Sequence, residues 1–112
     1  MQGINRQTGG EALVDESYRW IRLALEQARQ EADEALQSMR MRERVCRAEL
    51  RDLCVELTRS ARQGLETVTL EVQIQRRLDE SMLCRQQADA MRQHLSVLRS
   101  QMDRNAQLAA VN

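Results

Sequence analysis

Residues 14–39 read VDESYRWIRLALEQARQEADEALQSM, and one apolar series within them runs through Val14, Tyr18, Ile21, Leu25, Ala28, Ala32, Ala35 and Met39. The steps alternate four and three, which keeps all eight on one stripe of a helix, the seam of a coiled coil. The stripe returns downstream as Cys84, Ala88, Met91, Leu95, Leu98 and Met102, in the same heptad phase. Taking Tyr18, Leu25, Ala32, Met39, Cys46 and Leu53 as position a puts Val14, Ile21, Ala28 and Ala35 at d.

Between the two runs the stripe drifts. Position d passes to Arg42, Glu49 and Glu56, while Leu36, Leu50, Leu57 and Leu78 stand at e. The apolar series continues as Cys46, Leu50, Leu53, Leu57, Ala61, Leu65, Val68 and Val72, close to an eleven-residue repeat that untwists a left-handed supercoil. Leucines at e widen the apolar face toward the bundle type of helix.

Thr8-Gly9-Gly10-Glu11 matches a capping box, which starts a helix near residue 10 and leaves residues 1–9 as a flexible lead. Gly64 is the only glycine beyond residue 10, and a hydrophobe, Leu65, follows it, as at a helix C-terminal cap. Thr67 to Ile74 alternates polar with apolar and is rich in β-branched residues, like a strand. With no second strand to pair with, it reads as a weaker stretch of helix. The expected order is a coiled-coil helix over 10–63, a turn at 64–66 and a second helix over 67–110. Asn105 at d and the final Asn112 point to fraying at the end.

Folding the chain about residue 65 pairs Ala28 with Met102, Ala32 with Leu98, Ala35 with Leu95, Met39 with Met91, and Cys46 with Cys84. Each alanine then meets a large side chain, as close packing requires. Glu43 meets Arg85 and Leu50 meets Leu78, which helps, while Arg29 meets Arg99 and Asp52 meets Glu80, which does not. The expected fold is all-α: an elongated coiled coil in the form of an antiparallel two-helix hairpin. The rival is one long helix in a parallel dimeric coiled coil.

Composition bounds the function. The 112 residues contain no proline or phenylalanine, and Tyr18 and Trp20 are the only aromatics. All seventeen basic residues are arginine, balanced by seventeen acids, eleven of each before residue 65 and six of each after. Neither half carries the one-signed excess of a nucleic-acid binder. Three cysteines at irregular spacing are no disulfide framework and fit a reducing compartment, cytoplasmic or nuclear. No run is apolar enough for a membrane span, and the first residues lack the apolar core of a signal peptide.

Cys46, Cys54, Cys84 and His94 stand in no metal-ligand spacing. No nucleophile accompanies His94, the pairs Glu31/Glu34 and Asp79/Glu80 fall on solvated faces, and no phosphate loop occurs. The sequence thus assigns no catalytic, cofactor-binding or metal residue. Its candidate site is the interaction seam: Val14, Tyr18, Ile21, Leu25, Ala28, Ala32, Ala35, Met39, Cys46, Leu50, Leu53, Leu57, Cys84, Ala88, Met91, Leu95, Leu98 and Met102. The expected partners are proteins, either a second copy or another helix, with neither nucleic acid nor membrane. Arg40, Arg44, Arg47 and Arg51 offer a place for an acidic partner, and Trp20, off the seam, a place for a further helix. The function expected is a non-enzymatic oligomerisation or scaffold module of the cytoskeletal, centriolar or kinetochore kind. The alternative is a helical-hairpin chaperone or stalk of a bacterial secretion machine.

Overall fold

The computed structural model describes the backbone from Gln2 to Val111 and side chains from Asp15 to Val111, so seam residue Val14 lies outside the described side chains. The chain is all-α. Helix α1 spans Gln2–Arg62 and helix α2 spans Val68–Val111, folded back on each other as an antiparallel hairpin. Helix α1 starts at Gln2 rather than near residue 10, so the residues read as a lead belong, from Gln2 on, to its first turns. No proline stands there to stop it, and extending an existing helix costs far less than nucleating one.

Gly64 ends α1. Its φ of 70° lies in the left-handed region, which a Cβ disfavours. Adopting it lets the Gly64 N–H donate to the Ala61 carbonyl at 3.1 Å and the Leu65 N–H to the Ser60 carbonyl at 2.9 Å. This pair of bonds is a Schellman cap, which satisfies carbonyls the last turn would otherwise leave open. A straight helix cannot pass through it, which removes the long-rod alternative. The connection covers residues 63–67, slightly wider than the expected 64–66. Thr67 precedes the first residue of α2, and the Glu71 N–H closes the first turn on the Thr67 carbonyl at 2.9 Å. The strand-like stretch is helical from Val68 onward: an isolated strand leaves its backbone groups unpaired, whereas a helix satisfies them locally.

Two compact units divide the described residues. One joins the part of α1 up to Asp33 with the part of α2 from Gln93; the other is Glu34–Arg92, which includes the turn. In the latter, Glu43 pairs with Arg85 and Glu49 with Arg77, each at 2.7 Å. As the α1 number rises the α2 number falls, which fixes the antiparallel sense. Both pairings lie within about a turn of the register obtained by folding about residue 65. In the other unit the Asn105 side-chain amide donates to the Tyr18 carbonyl at 3.3 Å.

Burial shows the packing line of each helix. On α2 the sheltered positions are Leu70, Ile74, Arg77, Ser81, Cys84, Ala88, Met91, Leu95, Leu98, Met102, Asn105 and Ala109, an unbroken alternation of four and three. On α1 from Ala32 they are Ala32, Leu36, Met39, Glu43, Cys46, Leu50, Leu53, Leu57 and Ser60, flanked by half-buried Asp33, Ala35 and Glu49.

Candidate functional site

The α1 line keeps Leu50, Leu53 and Leu57 of the expected seam and adds Leu36 and Glu43 to it. From Leu36 on, its second row is the e set, Leu36, Glu43, Leu50 and Leu57, rather than the d set, Ala35, Arg42, Glu49 and Glu56. The apparent drift through Arg42, Glu49 and Glu56 is a one-position shift of that row, which restores a seven-residue repeat. Leu36 is buried as a result. Ile21, assigned to the seam, is 48% exposed. Ala61, Leu65, Val68 and Val72 are exposed, so the eleven-residue series leaves the packing line beyond Leu57, and Leu78, read at e, is exposed too. Of the seam residues with described side chains, all others are buried or half-buried: Ala32, Cys46, Cys84, Ala88, Leu95 and Leu98 are buried, and Tyr18, Leu25, Ala28, Ala35, Met39, Leu50, Leu53, Leu57, Met91 and Met102 half-buried. Asn105, read as a sign of fraying, is 8% exposed and bonded across to α1.

The new row puts a carboxylate on the packing line. Glu43 stands between Leu36 and Leu50, with its side chain 17% exposed, and its Oε1 accepts from Arg85 Nε at 2.7 Å and from Arg47 at 2.8 Å. The Arg85 bond, helped by Arg47, holds the carboxyl below its ordinary 4.5 against the opposing effect of desolvation. A second cluster joins Arg77, also on the packing line, to Glu49 at 2.7 Å and Glu80 at 3.0 Å. Sequence reasoning found the Glu43–Arg85 pair but placed both residues on the rim. A shift of the row by one was the signal, with leucines at e and charges at d.

Cys46 and Cys84 are buried and Cys54 is exposed, all three as free thiols. Burial raises the Cys46 thiol pKa first, and neighbouring Glu80 and Cys84 raise it further, so a facing Cys46–Cys84 arrangement is consistent with the expected register. A thiol raised in this way, as Cys46 is, makes a poor nucleophile near neutral pH. His94 is exposed. Among the described residues no three His, Cys, Asp or Glu side chains gather as a metal site would require. No helix of the described residues is long and apolar enough to cross a membrane.

The surface carries the remaining chemistry. On α1, Met41, Val45, Ala48 and Val55 repeat at steps of four, three and seven, on the side turned away from the packing line. Met41 and Val55 are 58% and 59% exposed. Trp20 occupies the corresponding heptad position in the other unit, exposed beside Asp15, Glu16, Arg19 and Leu23. Of the arginines assigned to an acidic partner, all four are exposed; Arg47 is engaged with Glu43, whereas Arg40, Arg44 and Arg51 form no hydrogen bond or ion pair with the described residues. No family model, no curated protein and no solved structure matches this chain.

Proposed function

We propose that the chain is a non-enzymatic helical interaction module that self-associates through the outer stripe of α1. The observation carrying this reading is the repeat of Met41, Val45, Ala48 and Val55, four apolar positions along about 21 Å of helix at 1.5 Å per residue. Scattered exposed hydrophobes need no explanation, but a heptad-spaced row on the outer face is the pattern by which one helix receives another. The need for a further layer is physical. Among the described residues no side chain is less than 2% exposed, so two helices alone do not seal a core. Small domains of this kind gain stability by oligomerising. The likeness to cytoskeletal, centriolar or kinetochore scaffolds stays at the level of composition and coiled-coil character.

Light scattering on the purified chain tests the reading. The intact protein is expected to be an oligomer at micromolar concentration, and Met41→Glu with Val45→Glu to yield a monomer of unchanged helix content. A monomeric intact chain overturns self-association, and is the outcome that a hairpin chaperone, ordered by its cognate partner, would give.

A further inference from the structure

The chain is neutral as a whole, yet the unit Glu34–Arg92 concentrates arginine on one lateral side. Glu43 marks one side, because Arg47 from α1 and Arg85 from α2 both reach its Oε1 there. Arg40 lies one heptad before Arg47, and Arg44 and Arg51 lie four residues after Arg40 and Arg47. The four therefore form one stripe with steps of four, three and four, about 16 Å long. Arg92 lies one heptad after Arg85 and is engaged with Asp89. Six arginines thus share this side. The acids there are Glu43 and Asp89, already engaged, and Glu71 near the turn, held by Thr67 at 3.5 Å. The opposite side is mixed: Glu49, Asp52, Arg76 and Arg77 line one shallow groove, and Arg42, Glu49, Arg77 and Glu80 line the next.

We propose that the arginine side is a docking surface for an acidic peptide segment that also carries apolar side chains. The charge of the site requires an acidic ligand: Arg40, Arg44 and Arg51 have no counter-ion among the described residues, and Arg85 remains 60% exposed. Guanidinium groups bind carboxylates in a two-pronged geometry that lysine cannot reproduce. Apolar anchors are required by Leu78 and Met82 of α2. Leu78 lies one heptad before Arg85 on the same side, Met82 follows it by four, and both are exposed. Peptide is favoured over nucleic acid because single strands are held by stacking on aromatic side chains. The chain's two aromatics, Tyr18 and Trp20, belong to the other unit. The proposal rests on the reading of the chain as an interaction module but not on its self-association.

The test is fluorescence anisotropy at low salt with a labelled fourteen-residue synthetic peptide bearing glutamates at every third or fourth position and two leucines. A scrambled peptide of the same composition and oligo(dT) serve as comparison probes. The glutamate-patterned peptide is expected to bind, with Arg40→Glu, Arg44→Glu and Arg51→Glu together weakening it by about tenfold or more, and Arg76→Glu, on the opposite side, by less than about twofold. Leu78→Ser with Met82→Ser is expected to weaken it with no change in the salt dependence. The Met41→Glu, Val45→Glu protein should bind as the intact chain does, which separates this result from the fate of self-association. Absence of peptide binding, equal losses from Arg76→Glu and the triple variant, or tighter arginine-dependent binding of oligo(dT) would each overturn the proposal. Circular dichroism confirms that the variants stay folded.

Discussion

In the unit built from the start of α1 and the end of α2, the most buried side chains are Ala32, Leu95, Leu98 and Asn105. In Glu34–Arg92 they are Leu36, Cys46, Cys84 and Ala88. The first unit buries leucines on α2 and an alanine on α1, and admits one polar side chain, bonded to a backbone carbonyl. The second has small or sulfur-bearing residues at its centre and places Glu43, Arg77 and Ser81 on the packing lines. The two sets of side chains use the same repeat for different ends. Apolar burial is non-directional and tolerates sliding, whereas an ion pair such as Glu43–Arg85 has a preferred partner. We read the second unit as the one that sets the pairing of the helices, and the first as the one that supplies apolar adhesion.

The largest expected effect comes from attacking the apolar unit. Leu98→Glu places an unpaired carboxylate where 5% of the side chain is exposed, and should cost about 3 kcal/mol or more. Leu95→Glu should do the same. Gln93→Glu, at an exposed position of the same helix, should stay within about 0.5 kcal/mol. Thermal melts of the three variants check this, and equal shifts would remove α2's line as the packing face. A smaller effect is expected from Asn105→Ala, which loses one hydrogen bond to Tyr18 and should cost about 1 kcal/mol in denaturant titration. Asn105→Leu should recover that loss through burial, so a leucine variant less stable than the alanine one would show the amide to be essential for packing.

The smallest effect belongs to the charged unit and is a matter of pH. Arg85 lowers the Glu43 pKa, so Glu43 contributes stability above its ordinary value of 4.5, and that stability is lost as pH falls through the lowered value. Glu43→Gln should therefore melt below the intact chain at pH 7, with the difference closing in the acid range. A difference that widened in acid would contradict the role given to the Arg85 bond.

Most of this arrangement was legible in the residues. The α2 seam from Cys84 to Met102 lies wholly on the packing line, and Gly64 marked the reversal because few other residues accept a positive φ. The α1 seam was legible at a and again from Cys46 to Leu57; what it lacked were Leu36 and Glu43, at e between Ala32 and Leu50. Two rows one position apart differ by about 100° of rotation in an ideal helix; at the changeover Ala35 and Leu36 are both apolar and Arg42 and Glu43 both charged, so the pattern separates the rows only at Glu49/Leu50 and Glu56/Leu57. Ile21 was misplaced for a related reason, since an apolar residue can sit beside a line without being covered by it. Asn105 was misjudged because an amide mid-seam signals fraying only when nothing opposite can accept its proton. The arginine side was legible in part: Arg40, Arg44, Arg47 and Arg51 stood out on α1, but which α2 residues share their side depends on how the two packing lines face each other.

The Schellman cap at Gly64 has a further consequence in the order of folding. It brings the two helices together across a connection of five residues, so the first contacts to form are those nearest it. The Glu43–Arg85 pair closes a separation of 42 residues and the Asn105–Tyr18 bond one of 87, and each doubling of a loop adds about 0.6 kcal/mol of closure entropy. The helices should zip outward from the turn. Gly64→Ala introduces a Cβ with no atom within 4 Å, so its cost is backbone strain alone, about 1–2 kcal/mol. In stopped-flow measurements that cost should appear mainly as slower refolding, while Asn105→Ala should leave refolding nearly unchanged and hasten unfolding.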